Sequence, residues 1–374
     1  MRFPVSPLVT LALWGALLTG APDSAAQDGR WRTYTSMRQV TDVAASPDAI
    51  WASTTGGVFR YGIEDGSLSA YTAGDGLDNV QARALAYDPV RQVVWIGYRS
   101  GVIDRLDPAT GIVQSFRDIE RAGRFASRQV NRIIPRGDSL FVATSFGIVV
   151  FDPIKGEVRD TYSQLGGISP GTEVFDIAFV PGDAVEIWVA TNEGVAYASL
   201  DAINLKDPAS WTVESAGLPS AQTRSMAHFG GSIYVGTIAD VARRDGADSY
   251  TTIGATSSEV HALLPDGDRL LALDRFDPIV IGSDGSVRRV DIEGFQDPVS
   301  MTLGADGLVW IGDREGGLIA IREPDPSTAT AEIVHREIYP SGPYHNDFSG
   351  LQVDGDGNLW ASGVFVQGEE TGFY

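Results

Sequence analysis

The chain has 374 residues, a formal net charge of −21 and no cysteine. That charge repels phosphate backbones, and nothing more basic than Arg243-Arg244 or Arg288-Arg289 offsets it, so nucleic acid is not an expected partner. Without cysteine, disulfides, thiolate metal sites and lipoprotein acylation are excluded, and stability has to come from packing.

The first residues read as an export signal: Arg2 gives a positive start, residues 8–18 form an apolar run, and Ser24-Ala25-Ala26 offers small residues for cleavage. The run is too short to anchor a membrane. The expected mature chain starts near Gln27 and has no membrane span after signal cleavage, because no later stretch has the length of a membrane helix.

From there a unit recurs. Ile50-Trp51, Val94-Trp95, Leu140-Phe141, Ile187-Trp188, Ile233-Tyr234, Leu270-Leu271, Val309-Trp310 and Leu359-Trp360 occupy one place in it, with spacings of 44, 46, 47, 46, 37, 39 and 50 between second members. This is the period of a four-stranded propeller blade. Around Trp95, 84–87 alternates, Asp88-Pro89 turns, 93–97 forms the next strand, Arg99-Ser100-Gly101 turns, 102–106 returns, and 112–116 adds a fourth strand. The order repeats in 132–134, 140–144, 148–151 and 158–162. Six residues after the anchor stands Gly57, Gly101, Gly147, Gly194 or Gly316, where a tight connection wants positive φ. Asp240 and Asp277 take that place in the fifth and sixth units, and Asp tolerates the same conformation.

The fold class is therefore all-β: a propeller of about seven four-stranded blades, with eight as the alternative, over residues 27–339. The final repeat, 340–374, either closes the ring or starts a second propeller. The outer strand of the last blade has two candidates, Trp31-Arg32-Thr33-Tyr34 from the leading segment and residues 332–339. The aromatic anchors are read as packing between adjacent sheets rather than as a sugar platform.

Motifs that carry chemistry elsewhere have plainer explanations here. Asp354-Gly355-Asp356-Gly357-Asn358 opens like a calcium loop, but Leu359 replaces the required glycine and Phe365 the bidentate glutamate, so a hairpin turn is expected. Arg136-Gly137-Asp138 spells an adhesion tripeptide in a repeat turn. Four histidines, His228, His261, His335 and His345, fall in different repeats without metal-ligand spacing. Gly167-Ile168-Ser169-Pro170-Gly171 matches a nucleophile elbow by letter, but Pro170 lacks the N–H that an oxyanion hole needs. No catalytic residue, metal or cofactor is assigned, and the binding residues are left unassigned. Insertions at 162–172 and 201–220, the second with Pro208, Trp211 and Pro219, are either surface loops or recognition loops.

The run Ile50-Trp51-Ala52-Ser53-Thr54-Thr55-Gly56-Gly57-Val58, then Tyr71-Thr72-Ala73-Gly74-Asp75-Gly76-Leu77, then Val94-Trp95-Ile96-Gly97 resembles the two-component-regulator propeller repeat of extracytoplasmic bacterial sensors. Trp31–Thr35 soon after a signal peptide, the run of blades, and Ser341-Gly342-Pro343-Tyr344-His345-Asn346 ahead of the Trp360 unit together look like the N-terminal propeller of the PorZ family of type IX secretion. That resemblance implies a non-enzymatic part at the cell surface, in the periplasm or on the outer membrane. It also implies secretion-system proteins as partners, surface polysaccharide as a further one, and a second propeller and β-sandwich that this chain lacks. The alternatives are the sensor half of a hybrid two-component regulator and a propeller lyase or hydrolase.

Overall fold

The computed structural model describes residues 33–256, 258–290, 292, 295–322, 331–356 and 358–363. The expected signal peptide, 1–26, lies outside them. Seven four-stranded antiparallel sheets follow one another at 40–71, 82–116, 130–162, 174–214, 223–252, 262–289 and 298–338. We number these blades 1 to 7. Within each, consecutive strands are neighbours, so the innermost strand comes first and the outermost last.

Every anchor pair up to Val309-Trp310 lies on the second strand of its blade, and Trp51, Trp95, Trp188 and Trp310 are all buried. Seven hydrophobic clusters each span two adjacent blades. One of them joins blade 7 to blade 1, where Trp310 and Leu318 pack with Val40, Val43, Ile50 and Phe59. The seam is built like any other interface. A Cβ on Gly97 would meet Val130 Cγ1 of blade 3 at 2.3 Å, and one on Gly236 would meet Val260 Cγ1 at 2.7 Å, just ahead of blade 6. At the seam a Cβ on Gly312 would meet Val40 Cγ1 of blade 1 at 2.5 Å. The same second-strand glycine thus lets blade 2 approach blade 3, blade 5 the chain entering blade 6, and blade 7 blade 1, so the ring closes with seven blades rather than eight.

Closure does not borrow a strand from the leading segment. Glu332–Ile338 is the outer strand of blade 7, so the second of the two sequence candidates fills it. Thr33 and Tyr34 are irregular, and Trp31 and Arg32 lie outside the described residues. The leading segment instead clasps the chain leaving blade 7. Asn346 Oδ1 accepts from the Ser36 N–H at 2.5 Å and its Nδ2 donates to Ser36 O at 3.2 Å, while Ser36 Oγ donates to Tyr344 O at 2.9 Å. The Arg38 guanidinium stacks 4.2 Å from the Tyr344 ring centroid.

The tight connection after the second strand takes positive φ at Gly57, Gly101, Gly147 and Gly194, as expected. These glycines are also crowded: a Cβ would lie 2.2 Å from Tyr162 O at Gly147 and 2.6 Å from Glu214 O at Gly194, because the outer strand ends against the turn. Two expectations are corrected. In blade 7 the left-handed residue is Gly317, φ +77°, not Gly316. Asp240 and Asp277 do not adopt positive φ. Asp240 serves its turn by side-chain bonding instead, with Oδ1 accepting from the N–H groups of Val241, Ala255 and Thr256.

The eighth unit stands apart. Among the described residues, Phe348–Val353 and Leu359–Gly363 pair only with each other, and Leu351, Val353, Leu359 and Trp360 are exposed.

Candidate functional site in the central channel

The innermost strands wall a channel, and their register explains what faces it. In blade 1, Val40 pairs with Thr54 and Asp42 with Ser53, which leaves Thr41 without a partner. The ladder skips Arg83 in blade 2, Asn131 in blade 3, Phe175 in blade 4, Arg224 in blade 5 and Val299 in blade 7 in the same way. Such a bulge inserts one residue into a strand and re-aims its side chain. All six line a cavity of about 710 Å³. Blade 6 has no bulge, since Ala262–Asp266 pairs regularly.

The bulged side chains of blades 1 to 5 stitch neighbouring blades together. Thr41 Oγ1 donates to Ala82 O at 2.8 Å, Arg83 Nε to Asn131 Oδ1 at 3.3 Å, and Asn131 Nδ2 to Val174 O at 2.8 Å and Glu173 Oε1 at 2.9 Å. Further round, the Arg224 guanidinium covers the Phe175 ring at 4.2 Å and donates through Nε to Glu259 Oε1 at 2.8 Å.

The residues that follow the bulges span the channel. Buried Asp42 accepts from Leu85 N–H at 2.8 Å and from Ser300 Oγ at 2.6 Å, joining blade 1 to blades 2 and 7. Asp176 accepts from Ile177 N–H and Met226 N–H, both at 2.9 Å. Arg132 of blade 3 lies between them, Nη1 3.6 Å from Asp42 and Nε 3.6 Å from Asp176. Burial pushes the Asp176 carboxyl above its usual range, against the pull of Arg132 and of the two N–H donors. His261, at the start of blade 6, has its imidazole lowered by burial, and its Nε2 is buried without a hydrogen-bond partner.

The motifs singled out in the sequence stay apart from this channel, His261 excepted. His335 stacks on Trp310 at 5.7 Å, His345 packs edge-on to Tyr344 at 4.5 Å, and His228 lies on the inner strand of blade 5. Ser169 Oγ donates to Glu193 Oε2 at 3.1 Å in an exposed turn, and not to a histidine. Arg136-Gly137-Asp138 is the first turn of blade 3, where Asp138 accepts from Ser139 Oγ and lies 3.6 Å from Arg159. Asp354 is a turn acceptor. It takes the N–H groups of Asp356 and Asn358 and the indole of Trp360, and these bonds, the indole foremost, hold its carboxyl at about 2. Both insertions are anchored by buried side chains: Leu165, Ile168 and Trp211 are buried between blades 3 and 4, and the Trp211 indole donates to Leu205 O at 2.9 Å, while Ile203 is exposed.

The fold and this channel define a seven-bladed β-propeller whose inner face is polar and bulge-built. The residues from blade 1 to blade 4, 50–212, match the family model of the PorZ N-terminal β-propeller domain of the type IX secretion system, so the chain is PorZ-like over that stretch. Among solved structures it is similar to PorZ, an essential bacterial surface component of the type IX secretion system of Porphyromonas gingivalis. The TM-score is 0.74 at 20% identity, over 90% of this chain and 43% of that one, so the chain spans less than half of that protein's length. It is also similar to the extracellular domain of a protein described as a hybrid two-component system from B. thetaiotaomicron, with TM-score 0.61, 14% identity, and 87% and 50% of the two chains covered. A third likeness is the WD40 β-propeller domain of Doa1, with TM-score 0.60, 15% identity, and 79% and 96% covered. No curated protein matches the chain. At these identities the structural likenesses speak for the fold. No helix among the described residues is long and apolar enough to cross a membrane.

Proposed function

We propose that the chain is a non-enzymatic, extracytoplasmic binding and scaffolding propeller of type IX secretion, exported through its leader and engaging other components of that system. The observation that carries this reading is the PorZ model match across blades 1 to 4. The channel supports the non-enzymatic part. Asp42 and Asp176 are held by backbone N–H donors of neighbouring blades and by Arg132, an arrangement suited to bracing a ring rather than to moving protons. The isolated hairpin supports a longer assembly. Its first strand skips Ser349 between Phe348 and Gly350, repeating the inner-strand bulge, and its second carries the Trp360 anchor. We read it as the opening half of a blade in a second propeller. Surface polysaccharide is a further partner under this reading.

Deleting the gene in its host tests the proposal: cargo of the secretion system is expected to accumulate in the periplasm. Normal surface display of cargo, together with loss of a transcriptional response to an external solute, would overturn it in favour of a sensor propeller. The likeness to the extracellular domain of the two-component protein motivates that second outcome.

A further inference from the structure

Five arginines line the channel, and three of them are neutralised. Arg132 faces Asp42 and Asp176, Arg224 donates to Glu259, and Arg314 Nη1 donates to Asp297 at 3.0 Å. Arg83 and Arg99, both contributed by blade 2, are not. Arg83 meets only the neutral amides of Asn131 and Gln129, and Arg99 has no hydrogen bond or ion pair among the described residues. Both line the same cavity, and burial lowers the Arg83 guanidinium with Arg99 lowering it further, while Glu173 and Asp42 pull it back only in part. The rest of the wall mixes polar, charged and apolar groups: Phe175, Leu263 and Val299 are partly exposed to the cavity, and Glu315 lines it without an ion pair to either arginine.

We propose that this channel binds a small monocarboxylate with an apolar body, its carboxylate seated on Arg83 and Arg99 and its body against Phe175, Leu263 and Val299. The cavity, about 710 Å³, is of ligand size, and Phe175, Leu263 and Val299 supply an apolar surface within an otherwise mainly polar lining. Guanidinium forks match carboxylate geometry. One negative charge suffices, because the acidic groups around the rest of the wall oppose a second. This inference is independent of the secretion role proposed above, since it rests on channel residues alone.

Isothermal titration of the full chain with phenylacetate tests it. Binding is expected, with phenylacetamide, acetate and inorganic phosphate each weaker by about tenfold or more. Arg99 is exposed, so Arg99→Gln should leave the unfolding midpoint unchanged while weakening phenylacetate by roughly ten- to a hundredfold, as loss of a charge-assisted bond does. Arg322→Gln, which alters only an outer pair with Glu332, should leave the affinity intact. The proposal is overturned if phenylacetate does not bind or if Arg99→Gln binds it as well as the native chain. It is equally overturned if phenylacetamide or phosphate competes on equal terms.

Discussion

Trp310 and Trp360 hold the same place in the repeat and meet opposite fates. Each lies on the second strand of its unit, each follows a first strand with the inner bulge, and each donates its indole N–H to a turn aspartate, Asp306 at 3.2 Å and Asp354 at 2.8 Å. Trp310 is 0% exposed and Trp360 50%. The difference is the neighbour: blade 1 brings Tyr61 to 5.1 Å from the Trp310 ring and closes a cluster over it, whereas nothing described stacks on the hairpin. A repeat therefore specifies its own sheet and aims its aromatic, but burial is supplied by the next repeat.

The sharpest way to break that comparison is to truncate both side chains. Trp310→Ala should cost about 3–5 kcal/mol, a large part of the roughly 5–15 kcal/mol that stabilises a domain, and Trp360→Ala no more than about 0.5 kcal/mol. Urea denaturation followed by circular dichroism measures both. Equal losses would mean that the hairpin anchor is covered, and the contrast would fail.

A smaller effect is expected from the glycines beside these anchors. Ala at Gly312 would press its Cβ to 2.5 Å from Val40 Cγ1 and 3.0 Å from Val43 Cγ1, two β-branched side chains with little freedom to turn aside. Gly312→Ala should destabilise by about 1–3 kcal/mol, as overpacking does. Gly355→Ala, in the hairpin turn, meets nothing within 4 Å and should stay within about 0.5 kcal/mol. A neutral Gly312→Ala would show that the seam between blades 7 and 1 is looser than the interfaces it resembles.

What could be read in advance follows the same division between what a repeat fixes alone and what its surroundings fix. Anchors and turns are local, so the strands around Trp95 and Phe141 were legible to within a residue or two. The channel was not, because its lining comes from one bulged residue on each of six different strands, which no single repeat displays. The signal was nevertheless present. In a regular strand, positions i and i+3 face opposite sides, yet Val40 and Val43, Val130 and Ile133, and Val174 and Ile177 are all buried. Buried apolar pairs three apart mark the bulge, and the residue next to the first, Thr41, Asn131 or Phe175, names the channel lining. Gly317 was missed for a different reason: Gly316-Gly317 offers two registers, and only the approach of the outer strand selects one. Burial of Trp211 inside one insertion depends on Leu165 and Ile168 of the other, the connection between blades 3 and 4, so no local pattern announced it.

The last contrast sets a buried ion pair against an exposed one. Glu214, 2% exposed between blades 4 and 5, accepts from Arg244 Nε at 2.8 Å and Nη2 at 2.7 Å and from the Tyr250 hydroxyl at 2.8 Å, while Glu332 meets Arg322 on the outer face with both side chains well exposed. Burial alone would raise the Glu214 carboxyl, but the bonds from Arg244 and Tyr250 outweigh it and bring it below its ordinary value of 4.5. A carboxyl depressed in the folded state contributes stability that is present above its unfolded value and lost as pH falls through its folded one. At pH 7, Glu214→Gln should then cost about 1–3 kcal/mol, and the gap from the native chain should narrow as the solution is taken below pH 4.5. Glu332→Gln should change stability by less than about 1 kcal/mol, as exposed pairs do. Chemical denaturation at stepped pH separates the cases. A penalty for Glu214→Gln that is flat from pH 7 to pH 3 would mean that Glu214 holds blades 4 and 5 together by shape rather than by charge.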